Sequence, residues 1–362
     1  MERGLTVYRD SYKFEGMLEN ILGHFSHAIG VDLGTCNTLI YVKGKGIVIK
    51  ESSVVAINLK TKQILAIGDE AKKMVGKTPS YIVAIRPLID GVISDYETTE
   101  QMLSYFIKKV HYKNFALFSR PRVVIGIPYG VTEVERRAVE EAAINAGARE
   151  VYLIEEPMAA AIGARMPVQN PEGSMIVDIG GGTTEVAIIS MGGIVASRSL
   201  RIAGDEMNQD IIDYAREKMN LLIGERTAEE VKISIGSAIS QGKIEEMAIR
   251  GRDMVSGLPK ELIINSDQVR EAMSKSLLAI IYAIKSTLEE SPPELVADVM
   301  KHGILLAGGG ALMKGLDKLI GKATGTRVYV VDDPMGCVVR GCGIVLESLK
   351  DLKEVLLPSE IR

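Results

Sequence analysis

Tryptophan is absent from the 362-residue chain, and cysteine and histidine are scarce, with three and four copies. Cys36, Cys337 and Cys342 form neither a C-x-x-C pair nor an even set, which excludes a disulfide framework and suits a reducing cytoplasm. The histidines show no metal-ligand spacing. Long apolar runs are missing too: no stretch reaches about 18 residues, so no membrane-crossing helix is expected. The N-terminus lacks a basic region followed by an apolar run and a small-residue cleavage site, so no secretory signal is expected. The net charge of −4 supplies no surplus of phosphate-neutralising side chains, which argues against nucleic acid as a partner.

What is present is the balance of an ordinary globular protein, 46% hydrophobic and 25% charged. Its length exceeds what one core usually holds, so two lobes are expected. The decisive feature is a repeat. "VDLGTCNTLI" (31–40) and "VDIGGGTTEV" (177–186) superpose Asp32 on Asp178, Gly34 on Gly180 and Thr38 on Thr184, a constant offset of 178 − 32 = 146. Gly46 and Gly192, which follow each hairpin, keep it.

Short strands separated by glycine turns follow each aspartate: "TLIYVKG", "GIVIKE" and "SVVAINL" in the first half, "MIVDIGGGTTEVAIISMGGIVAS" in the second. Apolar spacing predicts a helix near 97–110, and "RVVIGIP" (122–128) reads as a buried strand. Thr132 and Glu135 form a capping box for the next helix, which Gly147 stops. "EVYLIEEP" (150–157) is a strand, followed by a helix of small residues. Residues 166–175, "MPVQNPEGSM", make the clearest linker. Beyond it helices are expected near 206–219, 227–240 and 267–290. A strand–glycine turn–helix (303–325), a strand "VYVVDDP" and a helix from about 337 end the chain. The reading is a duplicated α/β fold.

A strand ending in Asp-x-Gly that turns tightly presents backbone N–H groups to an anion, with glycine where the backbone must approach phosphate closely. Thr35, Asn37, Thr38, Thr183 and Thr184 add short donors, and Asp32 or Asp178 suits magnesium, usually through its waters. One such turn is often only a hairpin. Two at matching positions, with "LAGGGALMKGL" at 306–316, point to a nucleotide gripped from both sides.

"VDLGTCNT", "IEEPMAAAIGA", "VDIGGGTTEVAIIS", "RIAGDEMNQDI", "ERTAEEVKISIGSA" and "LAGGGALMKGLDKLI" together resemble the actin-like ATPases, and among them the bacterial cell-shape family. The resemblance runs from about Met17 to about residue 350. It implies the fold shared by actin, heat-shock chaperone ATPases and sugar kinases, two lobes around a nucleotide cleft. Lobe I would be residues 1–170, with a small subdomain near 58–90, completed by 340–362. Lobe II would be 171–339 with a subdomain inserted near 207–270. ATP and Mg²⁺ are the implied ligands. The resemblance assigns Gly34, Thr35, Cys36 and Asn37 to the first phosphate turn and Gly180, Gly181, Gly182 and Thr183 to the second. Asp32 and Asp178 would face the metal, while Gly308, Gly309 and Gly310 close the adenosine side. Glu229 and Lys232 would reach ribose and base, although charges three apart on a helix also make a solvated pair. Glu156 matches the hydrolytic glutamate and Thr183 its partner at the γ-phosphate; the adjacent Glu155 is separated from Glu156 only by the family pattern. Cys36 departs from the family's usual alanine, as a small buried thiol or as a redox-sensitive group.

No acidic residue lies between Glu100 and Glu133, whereas Lys108, Lys109, Lys113, Arg120 and Arg122 do. Within that window "NFALFSR" offers Leu117 and Phe118 in a loop, each worth roughly 1.5–3 kcal/mol on burial. Nearby basic residues add about 1 kcal/mol each on an anionic leaflet. The resemblance makes this a loop for the inner face of the cytoplasmic membrane; folding onto its own lobe is the plain alternative. "GMLENILGHF" (16–25) has one apolar helical face that suits either membrane anchoring or core packing. Residues 1–16 extend beyond the family's usual start, with Met17 a candidate initiator. The implied activity is ATP-dependent assembly into filaments that determine cell shape by organising peptidoglycan synthesis. The partners are other copies of the chain, membrane lipids and membrane-bound elongation proteins of the MreC, MreD and RodZ type. A non-polymerising, sugar-kinase-like phosphotransferase is the alternative, but no sugar-binding Asn/Asp/Trp cluster stands out. A chaperone would need a peptide-binding domain after the ATPase.

Overall fold

The computed structural model describes residues 28–111 and 120–358. In the first half, Ile29–Leu33 (β1), Asn37–Val42 (β2) and Gly46–Ser52 (β3) form an antiparallel meander in which Asp32 stands opposite Leu39. Val55–Asn58 (β4), Ile64–Ile67 (β5) and Ile82–Ile85 (β6) make a separate sheet in the order β5-β4-β6. After a two-residue-strand hairpin, Leu88–Ile89 (β7) with Val92–Ile93 (β8), the helix Tyr96–His111 begins. Its apolar positions Met102, Leu103, Phe106 and Ile107 are buried, as their helical spacing requires. Arg122–Ile127 (β9) then pairs in parallel with β1, and Glu150–Glu155 (β10) with β9. Between them lies the helix Glu133–Asn145, closed by the full Thr132/Glu135 capping box. It ends in a Schellman arrangement, Gly147 N–H to Ile144 O and Ala148 N–H to Ala143 O.

The second half repeats the plan. Ser174–Ile179 (β11), Thr184–Ser190 (β12) and Gly193–Leu200 (β13) form the meander, with Asp178 opposite Glu185. The helices Gly204–Met219 and Glu225–Ile235 flank a small sheet of Leu221–Leu222 (β14), Glu246–Asp253 (β15) and Pro259–Asn265 (β16). Three more helices lead to Ile304–Ala307 (β17), parallel to β11, and Val328–Val330 (β18), parallel to β17. The two large sheets therefore have matching orders, β10-β9-β1-β2-β3 and β18-β17-β11-β12-β13. Gly46 and Gly192 take the same left-handed turn, with φ of 77° and 75°. L-residues with a Cβ rarely adopt that conformation, which explains why both glycines keep the repeat.

Between the sheets the helices Glu156–Gly163 and Cys337–Glu347 pack closely, and their core joins residues of both halves, such as Val124 and Ile176. A Cβ on Gly341 or Gly163 would collide with the carbonyls of Ala159 and Cys337 across this contact. Two expectations are corrected, and two elements were not foreseen. The helix expected to reach residue 240 ends at Ile235, before Gly236. The one expected over 267–290 is two, Ser266–Ala272 and Ser274–Glu289, parted at Met273. The hairpin β15–β16 and the helix Pro293–His302 had no sequence expectation. Leu117, Phe118 and the 16–25 segment lie outside the described residues. Of the basic residues flanking that loop, Lys109 pairs with Glu51, and Arg122 with Glu150 at 2.9 Å.

Candidate nucleotide site

The turns after β1 and β11 meet at one cavity of about 360 Å³ between the halves. Asp32, Gly34, Thr35, Cys36 and Asn37 line it from the first turn, and Asp178, Gly180, Gly181, Gly182 and Thr183 from the second. Glu156, Glu229, Lys232, Gly308, Gly309 and Gly310 line it as well, so every residue expected at the nucleotide except Thr38 and Thr184 lies on this one surface. The turns touch: a Cβ on Gly182 would stand 2.6 Å from Thr35 Oγ1, and one on Gly181 would strike the Cys36 thiol. Two chain reversals approach this closely only where one of them carries no side chain.

Two of the expected donors serve the scaffold instead. Thr38 and Thr184 are fully buried. The Thr38 hydroxyl shares a 2.9 Å hydrogen bond with Ser53, and Thr184 donates to the Ile202 carbonyl at 2.7 Å. They brace the turns from behind, while Thr35 and Thr183 face the cavity. Thr35 Oγ1 also accepts from Gly91 N–H at 2.9 Å, tying the first turn to the β7–β8 hairpin. Gly180 and Gly181 carbonyls accept the N–H groups of Gly204 and Asp205 at 3.2 and 2.8 Å, so the second turn is held by the start of a helix.

Acids dominate the floor. Glu156, expected at a strand end, is the first residue of its helix, with Pro157 behind it; it is buried, whereas Glu155 caps from the strand side and is half-exposed. Asp32 is pushed up to about 8 by burial and then by Asp178. Burial raises Asp178 to about 7 and lifts Glu156 well above the ordinary carboxylate range, with Asp32, Glu185 and Asp178 adding repulsion. Glu185 was missed by sequence reasoning. Cross-strand pairing puts it on the same sheet face as Asp178 and Ser199, whose hydroxyl donates to it at 2.7 Å. Burial chiefly raises it to about 8. Its position after the two threonines of the second turn was the available signal, since the equivalent first-half residue is Leu39.

Such a collection of buried carboxylates, none ion-paired to a base, fits a cation. Asp32 and Asp178 are two carboxylates on one cavity wall, which suits Mg²⁺ held through water and phosphate. Among the described residues no three acidic, cysteine or histidine side chains form a closed metal cage.

The roof is made of ion pairs from the neighbourhood of the first small sheet to the helices Gly204–Met219 and Glu225–Ile235. Arg86, after β6, reaches Asp205 at 3.2 Å and also Glu225, and Lys72 reaches Glu229 at 3.0 Å. Asp205 further accepts from the Cys36 thiol at 3.2 Å, and Lys232 donates to the Gly204 carbonyl at 2.6 Å. Burial and then Asp205 push the Cys36 thiol up to about 12, which disfavours its thiolate. Ile233, Leu312, Met313 and Met335 supply an apolar end.

The profile of the MreB/Mbl protein family matches residues 26–354. Over 328 residues the chain is 51% identical to the cell shape-determining protein Mbl of Bacillus subtilis (strain 168), covering 91% of this chain and 98% of that protein. Its fold matches the crystal structure of MreB5 of Spiroplasma citri bound to ADP with a TM-score of 0.86 and 40% identity, covering 91% and 98% of the two chains. A MamK double helical filament subunit shares the fold at a TM-score of 0.75 and 24% identity, over 89% and 99%. The fold is that of the actin-like ATPases, and the chain belongs to the MreB/Mbl family of cell-shape proteins.

Proposed function

We propose that this protein binds ATP with Mg²⁺ between its halves, hydrolyses it, and assembles into filaments on the inner face of the cytoplasmic membrane that organise peptidoglycan synthesis. The observation that carries the reading is the convergence of both glycine turns and a buried glutamate on one cavity, in a chain of this family. The ADP-bound relative supports a nucleotide as the occupant.

In this reading the N–H groups of both turns hold the phosphate chain, and burial strengthens each of those bonds. Mg²⁺, facing Asp32 and Asp178, offsets phosphate charge. Glu156 orients the attacking water and accepts its proton, with Thr183 bonding the same water or the γ-phosphate. Residues 1–170 with 340–362 form one lobe and 171–339 the other, each gripping one side of the nucleotide. Gly308, Gly309 and Gly310 close over adenosine, and Glu229 and Lys232 face ribose and base once Lys72 releases Glu229. Subunits join head to tail, a heterologous contact that grows rather than closes. Leu117 and Phe118 enter the lipid. Membrane-bound elongation proteins of the MreC, MreD and RodZ type then read the filament.

The test is sedimentation of purified protein with Mg-ATP, with and without anionic liposomes, beside a Leu117→Ser/Phe118→Ser variant. Pelleting with ATP, with liposome association lost in the variant, is expected. A protein that binds ATP yet stays in the supernatant at every concentration points to a small-molecule phosphotransferase instead.

A further inference from the structure

The β7–β8 hairpin turns through two residues, Asp90 and Gly91, both left-handed, with φ of 50° and 76°. That is the backbone of a tight two-residue hairpin turn, for which Asp-Gly is a favoured pair. The tip lies against both glycine turns at once. Gly91 N–H donates to Thr35 Oγ1 of the first turn at 2.9 Å. On the second turn, a Cβ at Gly182 would stand 3.1 Å from the Asp90 Cα. A Cβ at Gly91 would stand 3.3 Å from the Thr183 methyl carbon Cγ2 and 2.5 Å from Pro128 Cγ. Glycine is thus what lets the tip close on Pro128 and Thr183.

The two threonines are held by different atoms. Thr35 is held by its oxygen. A hydroxyl has one donor and two acceptor sites, so accepting Gly91 N–H leaves the Thr35 proton to be donated elsewhere. Thr183 is held by its methyl. Its hydroxyl bonds to none of the described residues, and its oxygen is not among the sealed, unpartnered atoms, which are on Arg149, Glu185, Arg198 and Asn208. The hydroxyl therefore opens on the cavity that Thr183 lines. Methyl and hydroxyl occupy staggered positions on one Cβ, so a methyl lodged against the tip turns the hydroxyl away from it. A corner of the first half sets the direction of a hydroxyl in the second.

We propose that the Asp90–Gly91 tip is a positioning element for ATP hydrolysis, holding the Thr183 methyl so that the Thr183 hydroxyl stays directed at the γ-phosphate and the attacking water. The inference rests on the nucleotide reading of the cavity. Thr183 touches the reacting atoms in that reading, whereas Asp90 and Gly91 act through it. Turnover then needs the two halves closed on each other, since the tip belongs to one and Thr183 to the other.

The test compares phosphate release from Mg-ATP with ATP affinity for the full chain carrying Thr183→Ser, Asp90→Val or Asp90→Asn. Serine keeps the hydroxyl and loses only the methyl. Its hydroxyl is free among three staggered directions, so Thr183→Ser is expected to release phosphate roughly 3- to 10-fold more slowly. ATP affinity and melting temperature are expected to stay as in the native protein. Valine resists a φ of 50°, so Asp90→Val is expected to displace the tip and to slow release with the same split. Asparagine takes the left-handed turn as aspartate does, so Asp90→Asn is expected to keep the native rate. A Thr183→Ser protein as fast as the native one, or weakened in ATP binding as much as in rate, overturns the assignment. So does an Asp90→Asn protein as slow as Asp90→Val, because the carboxylate and not the turn would then be the active part. Native protein that neither binds nor hydrolyses ATP overturns the nucleotide reading itself.

Discussion

Two strand-to-helix corners carry the same acid-acid-Pro-Met pattern, Glu155-Glu156-Pro157-Met158 at the end of β10 and Asp332-Asp333-Pro334-Met335 after β18. They stand at equivalent places in the two sheets and lead into the two helices that face each other between the halves. Their second acids have opposite fates. Asp333 is exposed and bound to Arg340 at 2.6 Å, with the same guanidinium on the Asp333 and Asp332 carbonyls. Glu156 is buried at the cavity, and the charged groups that act on it are the acids Asp32, Glu185 and Asp178. The meanders differ in the same sense, since Asp32 faces Leu39 where Asp178 faces Glu185. The two halves therefore share their glycine turns but not the surroundings of their acids. An acid locked in an ion pair positions a helix; an acid with no base beside it is poised to take a proton.

The largest break in that comparison comes from the corners. Glu156→Ala is expected to keep ATP binding but to slow phosphate release by roughly 10²- to 10⁴-fold, the usual worth of a positioned acid–base group. Asp333→Ala and Glu155→Ala are expected to leave the rate nearly unchanged. Steady-state phosphate release with parallel binding titrations checks this, and unaltered release in Glu156→Ala moves the role to Glu155.

A smaller effect separates the meanders. Asp32, Asp178 and Glu185, raised to about 8, 7 and 8, hold protons in the folded protein that the unfolded chain releases near pH 4 to 4.5. Stability therefore falls as pH rises from about 4.5 to about 8, because the folded state must then give up protons or carry repelling charge. Nucleotide-free protein is expected to melt higher at pH 5.5 than at pH 8. Glu185→Leu, which copies Leu39, is expected to flatten that slope in a thermal melt. A slope as steep as the native one means that Glu185 contributes nothing to it.

The grip was legible in the sequence because it is local: Asp32 and Asp178, the glycines and their fixed offset all sit within ten-residue windows. The Thr132/Glu135 cap was legible for the same reason. The β15–β16 hairpin was not. Along β15 only Ile249 and Asp253 are buried, so apolar alternation is nearly erased by Arg250 and Arg252. The helix over 267–290 lost its break because Met273 is both a good helix former and a buried core residue. Pairs such as Arg86 with Asp205 join residues 119 apart, and no local pattern announces them. The Glu-Pro and Asp-Pro corners escaped notice for another reason. The segments between the meander and the corner differ in length in the two halves, so the repeat falls outside the 146-residue offset.

The central claim is that both halves hold one nucleotide, and equivalent glycines test it most directly. A side chain on Gly34 would stand 2.8 Å from the Asn37 carbonyl, and one on Gly180 would stand 3.2 Å from the Thr183 carbonyl. The measurement is ATP affinity for Gly34→Val, Gly180→Val and the double variant, each first shown by thermal melting to be folded. Each single change is expected to cost about 1–3 kcal/mol, roughly 5- to 150-fold in affinity. With either change sufficient to weaken binding of the same single nucleotide, the account stands. A folded variant of either half that binds ATP as tightly as the native protein would contradict it, because the nucleotide would then belong to one turn alone.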